Sequence, residues 1–161
     1  MGKKLTRKTQ CVLNDEQIGR MYRLLLIPIE NDNLDLNGYK IDGQPFIVKK
    51  KEVGFDIDFH GDIKTGEDAV IDTFYCRKYK HYSSVPSLLI RIRNAFAHNR
   101  VFYNKQLNSI VLEDVDNDDL KMHVRLSSVD RLVEIVKAIR STKGKHLKKK
   151  TTNKQKNNET V

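Results

Sequence analysis

Residues 84–99 constrain the fold more than any other stretch of the chain. On an ideal helix each residue advances about 100°. With Arg93 set at zero, Asn94, Ser87, His98 and Arg91 fall between about 100° and 160°. Leu88, Leu89, Ile92, Ala95 and Phe96 fall between about 200° and 320°. A helix with one unbroken apolar side must bury it against a second layer. Ser84 is placed to cap this helix, Pro86 suits its first turn, and the pattern runs to about Asn99.

The flanking segments supply that layer. Asn14 and Gln17 form a capping-box pair ahead of Ile18, Met21, Tyr22, Leu25, Leu26 and Ile29, which share a helical face. Pro28 kinks or ends this first helix. Asn37-Gly38 and Asp42-Gly43 mark residues 31–45 as loop and turns. Phe46-Ile47-Val48 reads as a short strand, and Phe55, Ile57 and Phe59 alternate as a second one. Residues 67–82 read as helical, with Tyr75, Tyr79 and Tyr82 as packing or base-stacking groups, of which packing is the safer reading. Beyond the central helix, Ser109–Val115 and Leu120–Leu126 alternate around Asp116-Asn117-Asp118-Asp119, the pattern of a hairpin. Leu120, Met122, Val124 and Leu126 share its inner face, which places His123 on the wet face. A last helix starts at Ser127, boxed with Asp130, and buries Leu132, Val133, Ile135, Val136 and Ile139. The expected class is α+β and mainly α.

The net charge of +9 suggests nucleic acid until it is located. Residues 1–10 carry Lys3, Lys4, Arg7 and Lys8, and residues 141–161 carry seven lysines against Glu159. The stretch between is nearly neutral, with 19 basic against 20 acidic residues. The chain therefore divides into a basic tail at 1–10, a domain at 11–141 and a basic, disordered tail at 142–161. Such tails speed encounter with RNA or serve as solubilising ends. No run approaches the roughly 18 apolar residues of a membrane span, and nothing near Met1 resembles a secretory signal. Cys11 and Cys76 form neither a disulfide framework nor a metal knuckle, which points to reduced thiols and a cytoplasmic protein. Asp56, Asp58, His60 and Asp62 could ligate a metal, but alternating acids are also how a sheet edge stays solvated. No metal or other cofactor is expected.

Chemistry concentrates in Arg93-Asn94-Ala95-Phe96-Ala97-His98. Arginine offers a fixed fork of donors matched to phosphate. Histidine moves protons near neutral pH, and asparagine can orient either partner. A solvated helix face is the plain alternative. The string resembles the Arg-(four to six residues)-His motif of HEPN domains, small helical proteins of which many are metal-independent RNases. The short form with Asn after Arg is similar to a bacterial branch found in plasmid and phage-defence settings. The resemblance covers residues 84–140 and, more weakly, the first helix.

That resemblance implies a HEPN-like helical bundle with a β-hairpin between the motif helix and the last helix. It implies a homodimer in which Arg93, Asn94 and His98 of both chains form one composite catalytic cleft. There RNA would be cut by its own 2′-hydroxyl, with Arg91, Asn99 and Arg100 as RNA contacts and Tyr103 as a packing residue. The setting implied is phage defence or a toxin–antitoxin system, with an antitoxin or regulatory protein as a possible partner and no membrane. The alternative is a noncatalytic HEPN-like dimer that binds RNA, a nucleotide or a protein. A third reading is a protein that binds nucleic acid through its tails alone.

Overall fold

The computed structural model describes residues 13–31 and 36–144. Both tails therefore lie outside the described residues except 142–144, as does Cys11. The architecture is α+β. Helix α1 (Asp15–Met21) passes through a π-helical turn (Tyr22–Leu26) into α2 (Ile27–Glu30). Helix α3 spans Gln44–Val53, α4 Ser84–Ala97 and α5 Val129–Ser141. Five strands, β1 (Asp56–Asp58), β2 (Thr73–Cys76), β3 (Val101–Asn104), β4 (Ser109–Asp116) and β5 (Asp119–Leu126), make one sheet in the order β1-β2-β5-β4-β3. The expected hairpin is thus present, but it forms the centre of a larger sheet. Its turn places Asn117 and Asp118 both at positive φ, the geometry that tightens a two-residue hairpin.

One side of the sheet carries Phe74, Cys76, Leu112, Met122, Val124 and Leu126, all fully buried. Against it pack Leu88, Leu89, Ile92 and Ala95 of α4 and Leu132, Ile135, Val136 and Ile139 of α5. The apolar stripes expected on both helices are the stripes buried. Cys76 sits inside this layer, and burial pushes its thiol up to about 12, so it carries no thiolate at neutral pH.

The other side is covered as well, which corrects the placement of His123. The chain linking β1 to β2 is tied across it: Tyr75 Oη accepts from the Val70 amide at 3.1 Å, and Arg125 donates to the Ala69 carbonyl. His123 lies opposite Glu113 in register, and its Nδ1 is 2.9 Å from Glu113 Oε1. Only 3% of His123 is exposed. Alternation marked the two faces correctly but could not show that the second is roofed.

Two further segments differ from expectation. Residues 46–48 belong to α3 rather than a strand. Pro45 in its first turn and Gly54, at φ 80 just past its end, are start and stop signals that outweigh Ile47 and Val48. Residues 67–82 do not form the expected helix: Gly66–Asp68 makes only a single 3-10 turn, and Thr73–Cys76 pairs with β1 on one side and β5 on the other. A strand with neighbours on both sides and covered faces shows no alternation to read. β1 is an edge, as its acids suggested. Asp58 accepts the amides of His60 and Gly61, which hold its carboxyl below the usual range, and Asp56 pairs with Lys50 at 3.1 Å. Among the described residues no cluster of ligands could hold a metal, and no helix is long and apolar enough to cross a membrane. Cap positions shift by one: Ser83 precedes α4, and Ser128 rather than Ser127 accepts the Arg131 amide.

Pro28 neither ends nor sharply breaks the first helix. It has no amide hydrogen to give the Leu24 carbonyl four residues back. The π-helical turn absorbs the misfit, and Arg140 Nη1 at the end of α5 donates to that carbonyl at 2.6 Å. Arg140→Ala should therefore cost about 1–3 kcal/mol, the usual penalty for an acceptor left without its partner. Urea unfolding would measure it. Pro28→Ala in the Arg140→Ala background should recover part of the loss by restoring an amide donor.

Candidate functional site

Helix α4 positions the candidate residues, and its termination explains one of them. His98 is the C-cap, and Asn99 follows at φ 53. The Asn99 amide donates to the Phe96 carbonyl and the Arg100 amide to the Ala95 carbonyl, the paired bonds of a Schellman ending. Asparagine tolerates the left-handed conformation better than other side-chain-bearing residues. The backbone thus accounts for Asn99 without RNA. His98 is exposed on this ending, and Arg100 is half-buried with no side-chain partner among the described residues.

Arg93 and Asn94 meet on the wall of an open cleft of about 610 Å³. Arg93 Nη1 donates to Asn94 Oδ1 at 3.0 Å. Arg93 Nη2 donates to Glu30 Oε1 at 2.9 Å, so the last residue of α2 closes the guanidinium fork. Half of the Glu30 side chain is exposed, at 51%. An ion pair that exposed is worth at most about 1 kcal/mol, so an incoming phosphate can replace the carboxylate. His98 stands one turn beyond Asn94 and outside the residues lining the cleft. The structure therefore brings together two of the three expected catalytic residues and leaves the third on the adjoining rim.

Arg91 is not on the open face. Its side chain is 5% exposed, and Nη1 pairs with Asp114 Oδ2 at 2.8 Å. It also donates to the carbonyls of Arg77 and Lys78, and it lies over the Tyr79 ring. The polar sector of the helix was read correctly, but half of it is covered by the segment leaving β2 and by β4. A guanidinium with this many internal partners is a fastening, not an RNA contact. Tyr103 is partly exposed, at 42%, and hydrogen-bonds Asn108 at 2.6 Å.

Sequence reasoning missed Glu30 and the full role of residues 79–82. Ser87 on α4 accepts the Tyr79 amide at 2.9 Å and donates to the Tyr82 carbonyl at 3.2 Å. Those two bonds lay the turn Tyr79–Tyr82 along the cleft, which Tyr79, Lys80, His81 and Tyr82 all line. The tyrosines were visible as candidates. Ser87, one turn before Arg91 on the polar sector, was the signal for what holds them.

Breaking the Arg91 pair should show which role it plays. Arg91→Ala leaves Asp114 buried without its charge partner and should cost about 3–5 kcal/mol of stability. Thermal unfolding checks this; an unchanged midpoint with weakened RNA binding would restore Arg91 to the open face. Comparisons of the chain with protein-family models, with curated proteins and with solved structures return no match.

Proposed function

We propose that this protein is a metal-independent endoribonuclease of the HEPN type, acting as a homodimer in the cytoplasm in phage defence or a toxin–antitoxin system. The observation that carries the reading is the meeting of Arg93 and Asn94 on an open cleft wall, one helical turn before an exposed His98. The three residue types supply what phosphoryl chemistry without a metal needs: a fixed cation, an orienting amide and a group that moves protons. In the reaction the 2′-oxygen of RNA attacks the adjacent phosphorus as its proton leaves to a base. The bond from phosphorus to the 5′-oxygen breaks and that oxygen takes up a proton, giving a cyclic phosphate and a 5′-hydroxyl. His98 handles protons, Arg93 holds the developing phosphate charge in place of Glu30, and Asn94 keeps the guanidinium oriented. A second copy of the chain would bring its own His98 to the rim that one copy leaves open.

A second reading has its own support. Glu30 occupies the Arg93 fork. A cleft closed by its own carboxylate also suits a noncatalytic HEPN-like dimer that binds RNA, a nucleotide or a protein partner. An RNase assay in EDTA on total cellular RNA and tRNA separates the two. Under the enzyme reading the wild type cleaves, and His98→Ala and Arg93→Ala each lower the rate by about 100-fold or more. His98 is exposed, so His98→Ala should leave stability within about 0.5 kcal/mol of the wild type. Absence of cleavage by the wild type would overturn the enzyme reading and leave the binding module.

A further inference from the structure

We infer that the turn Tyr79–Tyr82 is a base-stacking lip, so that the cleft takes single-stranded RNA with one unstacked nucleobase on the lip and the adjoining phosphate on Arg93. This rests on the RNA-cleaving reading for the identity of the ligand. The placement of the lip rests on its own geometry. His81 and Tyr82 stack with ring centroids 4.6 Å apart and planes 24° from parallel. His81 is exposed, and Tyr82, which stacks on it, is half-buried. Tyr79 does not offer the same surface, because Lys80 Nζ and the Arg91 guanidinium each lie about 5 Å from its ring centroid (5.3 and 5.1 Å). The open stacking face in this turn is therefore that of the His81–Tyr82 pair.

The lip is held before any ligand arrives. Ser87 bonds the backbone at both of its ends, and Arg91 bonds the carbonyls of the two residues before it. Across the cleft stand Arg93 and Asn94, whose amide hydrogens make no hydrogen bond among the described residues. An aromatic face, a cation and a free amide on one cleft match a nucleotide. A base within a duplex keeps both faces stacked and cannot use such a lip. Single-stranded regions are where bases can splay onto aromatic side chains.

The test uses labelled 2′-O-methyl hexaadenylate, which the proposed reaction cannot cut, and the same strand with two abasic positions at its centre. Fluorescence anisotropy in EDTA should show the full strand binding about tenfold more tightly than the abasic one, the order of effect that stacking one base supplies. His81→Ala should erase the difference, and Tyr82→Phe should keep it. Because His81 is exposed, His81→Ala tests the lip without threatening the fold. Equal affinity for the two strands overturns the proposal, and so does failure of the wild type to bind either. Cleavage of unmodified RNA is scored separately. Base discrimination without cleavage sinks the nuclease reading and keeps the lip, whereas cleavage without discrimination does the reverse.

Discussion

The buried pair of Arg91 and Asp114 organises this protein. Taking both charges out of water is costly, and the cost is offset because each of the three guanidinium nitrogens has a hydrogen-bond partner. One fork joins α4 to the carboxylate of β4 and to two carbonyls of the chain leaving β2. Those contacts decide where residues 77–82 run. Asp114 lies beside a register irregularity in the β4–β5 pairing, a place where strands commonly re-aim a side chain. The pair fixes the chain just before the Tyr79–Tyr82 turn, and Ser87 then lays the turn itself along α4, so that together they hold one wall of the cleft.

The opposite wall depends on a different compensation. Pro28 would ordinarily end or kink the first helix. Here a π-helical turn and a donor borrowed from Arg140 let the chain stay helical as far as Glu30. That added turn carries the Glu30 carboxylate to Arg93. The cleft is thus framed by two places where backbone geometry departs from regularity, and an arginine at each supplies the missing bonds.

These two devices also explain which parts were readable in the residues. The capping box at Asn14 and Gln17, the α4 and α5 stripes and the hairpin turn were legible because each is a local rule with a local cause. The motif residues Arg93 and Asn94 were legible as neighbours on one polar sector. Burial of His123 and Arg91 was not, because it depends on chain segments that cross from elsewhere. A period of two or of 3.6 tells which side a residue takes, not whether that side is later covered. Residues 46–48 were misread for another reason. Their β-branched side chains spoke for a strand, while Pro45 and Gly54 spoke for a helix, and the punctuation prevailed.

The arginines separate by what they donate to, and that bears on function more than the net charge does. Arg77, Arg91, Arg125, Arg131 and Arg140 all donate to backbone carbonyls, which cannot swing away to make room for a ligand. They are internal ties, and each joins segments far apart in sequence or closes an irregular turn. Arg93 differs. Like Arg20 on Glu16, it donates to side chains, here those of Glu30 and Asn94, but it does so on the cleft, and Glu30 is half exposed. A guanidinium held by an exchangeable carboxylate on an open cleft can trade that carboxylate for a phosphate with little cost to the fold. Under the nuclease reading proposed above, a near-neutral domain would need no basic face to address a phosphate, because an exchangeable fork on an open cleft would be enough to choose where it binds.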